Sequence, residues 1–252
     1  MSPAPHSGLP SAALCRILNA GDCGLVVEFG SAVDARLNGL VVALDARLRS
    51  EALPGVVETV PTYRSLLVLF DPIVLGRREL IAKLEMMSAD LRPEDDSQTR
   101  RWFVPVTYGE GFGEDLDHVA ALHGLTTDEV IRHHSQAEYR VYMIGFAPGF
   151  AYLGGLPELL HTPRRIDPRQ RTPAGSISIG GVQAAISSVE GPSGWHLLGR
   201  TPLRTFDLAR EDPFLLKPGD RVRFQPVPQA EFLRLKAMSE SGAVTAEWEA
   251  AS

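Results

Sequence analysis

The chain has 252 residues, 44% hydrophobic and 22% charged, the make-up of a globular protein long enough for one large domain or two ordinary ones. A net charge of −6 argues against general nucleic-acid binding, which calls for a basic surface. No apolar run approaches the roughly 18 residues of a membrane span, and MSPAPHSGLPSAAL lacks the basic region and apolar core of a secretory signal. Residues 1–13 therefore read as a disordered leader, and the chain as cytoplasmic. Cys15 and Cys23 are the only cysteines and read as a reduced pair.

Residues 14–92 predict a small α+β domain of order ββαββα. LCRILN and GLVVEFG are two strands around Gly21-Asp22. Leu37, Leu40, Val41, Leu44 and Leu48 recur at helical spacing, and Pro54-Gly55 stops that helix. VVETVP and SLLVLF form a hairpin turned at Thr62-Tyr63-Arg64, and a second helix spans about 75–91 with Leu80, Ile81, Leu84 and Met87 inward. An antiparallel sheet with both helices on one face accommodates these elements. RPEDDSQTR, residues 92–100, has no apolar side chain and reads as a linker.

Residues 101–240 predict a mainly-β domain. RWFVPVTY opens it, short helices follow at 115–123 and 126–134, and YRVYMIGF is a strand. SISIGGVQAAISSV, WHLLGR and FLLKPGDRVRF are further strands between Gly/Pro turns, the pattern of a barrel or sandwich. Gln229–Glu240 is a closing helix.

GEGFG at 109–113 stands where a phosphate loop belongs, but Glu110, Glu114, Asp115 and Asp117 would repel phosphate, so it reads as a turn before an acidic helix start. GFAPGF at 145–150 turns sharply and offers Phe146 and Phe150 to one pocket, or simply to a core. HTPRRIDPRQRTP sets Arg164, Arg165, Arg169 and Arg171 against one Asp; guanidinium forks suit carboxylate or phosphate, and a solvated basic loop is the plainer reading. Without G-x-S-x-G, Ser176 is no nucleophile elbow, although it and Gln183 are available as hydrogen-bonding groups. His133, His134 and His196 lack a third ligand at usable spacing, so no metal site is expected, and an imidazolium at 133–134 would suit a helix C-terminus. Trp195 is either a ligand-stacking or a core side chain.

The runs GFAPGFAYLGGLP, TPRR, RTPAGSISIGGVQ and SGWHLLGRTP, with GDCGLVVEFG, VPTYRSLLV and KPGDRVRF around them, resemble the family of the B-type subunit of bacterial 5-oxoprolinase. That family also takes in the sporulation kinase inhibitor KipI and proteins called allophanate hydrolase subunit 1, and related sequence is fused within urea carboxylase. The resemblance implies an α+β N-terminal domain followed by a cyclophilin-like, carboxyltransferase-related barrel. It implies one component of an ATP-dependent 5-oxoprolinase that converts 5-oxo-L-proline to L-glutamate with A- and C-type subunits. ATP would be bound somewhere in that complex, at no site identifiable in this chain. A KipI-like inhibitor of a sensor histidine kinase and an allophanate hydrolase subunit 1-type protein are the alternatives.

The site residues implied by the resemblance are Phe146, Pro148, Phe150, Tyr152, Arg164, Pro173, Gly175, Ser176, Gln183, Trp195 and Arg200, and Arg165 joins Arg164 as the basic loop's anion-holding pair. Arg164, Ser176 and Gln183 are expected to act on the lactam and the others to bind it. One segment departs from the family: where members often read IAGxQTGIYP this chain has IGGVQAAISS, so Ala184, Ala185, Ser187 and Ser188 replace Thr, Gly, Tyr and Pro. The biotin-bearing lysine segment of urea carboxylase is absent from the sequence.

Overall fold

A computed structural model of the chain describes residues 15–93 and 99–250. The expected leader and residues 94–98 of the expected linker lie outside them. The chain divides into two compact units, the first ending at residue 94.

The first unit contains β1 (Arg16–Asn19), β2 (Gly24–Glu28), α1 (Ala35–Glu51), β3 (Val56–Pro61), β4 (Ser65–Phe70) and α2 (Arg77–Ala89). Its antiparallel sheet has the order β1-β2-β4-β3. Asp34 starts α1 by accepting hydrogen bonds from the Arg36 and Leu37 amides at 2.9 and 3.1 Å, satisfying two donors of the first turn. Strand alternation turns Leu66 and Val68 inward, where they meet Leu40, Leu44 and Leu48 of α1 and Leu80 and Leu84 of α2 in one core. Cys15 and Cys23 are both free thiols.

The second unit begins with β5 (Arg100–Tyr108), α3 (Leu116–His123), α4 (Thr127–Gln136) and β6 (Tyr139–Ile144). Then come β7 (Ala151–Gly154), a 3-10 turn (Glu158–Leu160), β8 (Arg169–Thr172), β9 (Ser176–Gly180), β10 (Gln183–Ile186), β11 (Gly191–Ser193) and β12 (His196–Arg200). It ends with β13 (Arg221–Pro226), α5 (Gln229–Glu240) and β14 (Glu247–Ala250). Thr126 caps α4 through a reciprocal box with Glu129.

The main sheet runs β12-β9-β10-β7-β6-β13-β5, and pairing of β12 with β5 closes it into a seven-stranded barrel. β5 achieves this by serving β14 with its first half and β12 with Thr107 and Tyr108. Closure needs Gly199: a Cβ there would stand 2.6 Å from the Thr107 carbonyl oxygen. β8 and β11 form a separate two-stranded ribbon. Of FLLKPGDRVRF only the part from Arg221 is a strand. Phe214 makes one isolated bridge to Phe206, and the chain then turns through Pro218-Gly219 to Asp220, whose carboxylate binds Arg100, the Trp102 indole and the Lys217 amide. Among the described residues no helix is long and apolar enough to cross a membrane.

The barrel interior is packed solid. Ala151 and Leu153, Ile177 and Ile179, and Ala184 and Ile186 join one core with Val104, Val141, Leu198, Val222 and Phe224. Side chains alternate along a strand, so the residues between these face out, and Tyr152, Ala185 and Ser178 share one rung of the outer wall. A ligand site on this barrel belongs to that outer wall.

Candidate functional site

GFAPGF closes a tight turn after β6: the Gly145 amide donates to the Phe150 carbonyl and the Phe150 amide to the Ala147 carbonyl, both at 3.0 Å. The turn places Phe146 at φ 70°, a left-handed conformation that costs a bulky residue about 1–2 kcal/mol. That cost holds a phenyl ring 69% exposed at the rim of a cleft.

From this rim an aromatic row runs down the outer wall. Phe146 meets Phe150 edge-on with centroids 5.5 Å apart, Phe150 meets Tyr152 at 4.7 Å, and Tyr152 meets Trp195 at 6.0 Å. Trp195 lies flat against Gly180 of β9, where any Cβ would come within 2.7 Å of the indole, so the glycine seats the ring. Trp195 is thus an outer-wall side chain beside the cleft, not a barrel-core one.

The Arg164 guanidinium lies over Trp195, 5.7 Å from the ring centroid. Its backbone is pinned on both sides. His196 Nε2 hydrogen-bonds the Pro163 carbonyl at 2.9 Å, and the Arg165 amide donates to the Gly194 carbonyl at 2.8 Å. The Arg164 side chain is exposed and makes no ion pair among the described residues. Burial raises the pKa of the Tyr152 hydroxyl, and the Arg164 charge opposes that rise.

Two adjoining hollows of about 220 and 210 Å³ follow the row and share Phe146, Phe150 and Pro192. The second reaches Thr172, Ser187, Val189 and Glu190; Val189 and Glu190 also line a third cavity of about 640 Å³. That cavity brings in Gly175 and Arg200 of the expected set, with Ser188, Phe206, and Phe232 and Lys236 of α5.

The remaining expected residues fall elsewhere. Arg165 donates to Asp115 at 2.8 Å, as does Arg169 through two nitrogens at 2.7 and 2.8 Å. Ser176 is fully buried and its hydroxyl donates to the Pro173 carbonyl at 2.7 Å. Gln183 sits beside the Gly181-Val182 turn of the β9–β10 hairpin and lines none of these hollows. Pro148 is exposed at the tip of the Phe146–Phe150 turn. In the atypical segment, Ala184 packs in the core and Ala185 is buried opposite Tyr152, while Ser187 and Ser188 reach the hollows. No His, Cys, Asp or Glu cluster suited to a metal occurs among the described residues.

Residues 15–216 match the family model described as carboxyltransferase domain, subdomain C and D. The chain is 35% identical to the B-type subunit of 5-oxoprolinase from Bacillus subtilis, an alignment covering 89% of this chain and 98% of that protein. With the Escherichia coli O157:H7 protein of the same name, identity is 42% over 84% of this chain and 94% of the relative. The chain belongs to this carboxyltransferase-domain family, alongside the B-type subunits of 5-oxoprolinase. Among solved structures, the TTHA0988 protein superposes with a TM-score of 0.74 at 38% identity, covering 81% of this chain. This chain spans only 40% of that one. Urea carboxylase of Kluyveromyces lactis shares the fold, with a TM-score of 0.77 at 21% identity over 96% of this chain and 24% of its own. The family match ends at residue 216, so β13, α5 and β14 lie beyond it, and α5 supplies one wall of the 640 Å³ cavity.

Proposed function

We propose that the chain is the B-type subunit of an ATP-dependent 5-oxoprolinase and opens 5-oxo-L-proline to L-glutamate together with A- and C-type subunits. The observation that carries this reading to particular atoms is Arg164, an unpaired guanidinium fixed over Trp195 at the end of an aromatic row. Relatives named as the B-type subunit of 5-oxoprolinase, aligned over nearly their whole length, support the reaction class. The longer solved chains that contain this fold as a part support the need for further subunits.

In this reading the flat lactam ring lies against Phe150, Tyr152 and Trp195, which exclude water from it. Arg164 faces the oxygen that gains negative charge as the amide carbon is attacked. A preorganised donor at such an oxygen is worth about 3 kcal/mol of barrier. Ser176 and Gln183, expected to contact the lactam, lie at one remove: the Ser176 hydroxyl fixes the turn before β9, and Gln183 opens β10 opposite Gly180.

Glu190 is the one carboxylate lining the two aromatic hollows among the described residues, and Arg171 holds it at 2.6 Å. The proton acceptor therefore comes from a partner subunit. ATP is assigned to a partner as well. The turn at 109–113 opens on a hollow lined by Glu110, Glu114, Asp117 and Asp128, a charge pattern unfit for a triphosphate.

Reconstitution with A- and C-type subunits and assay of 5-oxoproline-dependent ATP hydrolysis tests the proposal. Omitting this chain should abolish activity. Arg164→Ala should lower kcat about 100-fold with the melting temperature unchanged. Turnover equal to wild type would remove Arg164 from the reaction, and activity without this chain would remove the chain.

A further inference from the structure

The 640 Å³ cavity between the end of β12, the loop after it and α5 carries a positive charge that nothing offsets. Its other charged walls are neutralised. Arg204 pairs with Asp207 at 3.1 Å, Lys236 with Glu240 at 3.7 Å, and Glu190 with Arg171 at 2.6 Å. Arg200 alone has no carboxylate among the described residues. Its guanidinium makes one long hydrogen bond, Nη2 to the Ala174 carbonyl at 3.4 Å, and lies 5.9 Å from the centre of the Phe232 ring. Its Nε is sealed from solvent with no acceptor.

A buried donor left without a partner costs about 1–3 kcal/mol, and more for a charged group. A second orphan lines the same cavity: the Ser188 hydroxyl is also sealed and unpartnered. Leu203, Phe206 and Phe232 give the cavity an apolar portion beside its charged lining. A hollow that sets one unanswered charge beside an apolar wall has the make-up of a small-molecule site.

We infer that this cavity binds a small organic carboxylate, with its anionic group on the Arg200 guanidinium and its carbon body against Phe232. A carboxylate accepts at two oxygens and matches the fork that Arg200 leaves unused. The single uncompensated charge suits a monoanionic group. The cavity meets the aromatic hollows at Val189 and Glu190 but shares neither Trp195 nor Arg164 with them, so it is a second site.

Calorimetric titration of the isolated chain with 5-oxo-L-proline, L-glutamate and inorganic phosphate, each separately, tests the inference. One of the two carboxylates should bind saturably and phosphate should not. Arg200→Met, which keeps the apolar stem over Phe232, should weaken that binding at least 10-fold. Arg200→Lys, which keeps the charge but not the planar fork, should weaken it several-fold, and this variant decides the matter if Arg200→Met does not fold.

Absence of saturable carboxylate binding, phosphate binding in its place, or binding kept at full strength in Arg200→Met would each overturn the inference. The measurement uses neither ATP nor partner subunits. Its failure therefore leaves the oxoprolinase reading standing, and failure of that reading leaves the carboxylate site to be judged on its own titration.

Discussion

Asp115→Asn should destabilise the second unit by about 3–5 kcal/mol, the usual cost of breaking a buried ion pair from one side. The Asp115 side chain is 5% exposed and accepts four hydrogen bonds: one from Arg165, two from Arg169 and one from the Leu197 amide at 2.8 Å. It ties the start of α3 to the arginine loop and to β12. Burial by itself would raise its pKa, but the Arg169 bonds, the Leu197 amide and the two guanidinium charges together hold it below the usual carboxylate range. The carboxylate is ionised at neutral pH, and its contribution is present above the unfolded-state pKa and lost as pH falls through the lower folded-state value. Asparagine keeps the shape but leaves part-buried Arg165 without a carboxylate and Arg169 with only the exposed Glu114, 3.1 Å from its Nε. Urea denaturation checks this, and a loss under about 1 kcal/mol would mean that the arginines find other partners at little cost. Because Arg165 anchors the backbone beside Arg164, the same variant should also loosen the aromatic cleft.

This network explains what the arginine run at 161–173 concealed. Arg164, Arg165, Arg169 and Arg171 look alike along the chain, and an anion site was a fair expectation for all of them. Folding brings in Asp115 from 50 residues before Arg165 and Glu190 from 19 residues after Arg171, and these neutralise three of the four. Pairing at such separations leaves no mark in local charge pattern. Elements whose causes are local were legible: the VVETVP–SLLVLF hairpin, the α1 stripe and α5 stand where spacing puts them. β7, β8 and β11 have four, four and three residues and no usable periodicity, so they emerge only from tertiary pairing. The aromatic row was legible residue by residue, since Gly- and Pro-rich turns beside Phe146, Phe150 and Trp195 mark a shaped surface. The Arg200 cavity was not, because Phe232 and Lys236 reach it from an ordinary amphipathic helix with no motif.

Lowering the pH from 7 to 4 should cost the second unit about 3 kcal/mol through His134 alone. At a helix end this residue reads as a cation suited to the C-terminal dipole, yet the fold buries it completely. Its ring stacks on Phe224 with centroids 4.7 Å apart, contacts Tyr139, and shares a 2.8 Å hydrogen bond with the Tyr108 hydroxyl through Nδ1. Nε2 has no partner, so a second proton would create a charge that no described residue answers. Burial lowers the pKa of His134 from 6.5 to about 3. Between those values the unfolded chain binds the proton and the folded chain refuses it, so stability falls as pH falls through that window and is flat above it. Tyr108→Phe combined with His134→Phe keeps the ring packing and removes both the titrating group and the hydroxyl it answers. Urea unfolding at pH 7 and pH 4 should show the wild type losing about 3 kcal/mol more than this double variant; equal losses would mean that the folded chain accommodates a charged His134 and that carboxylates alone set its acid sensitivity.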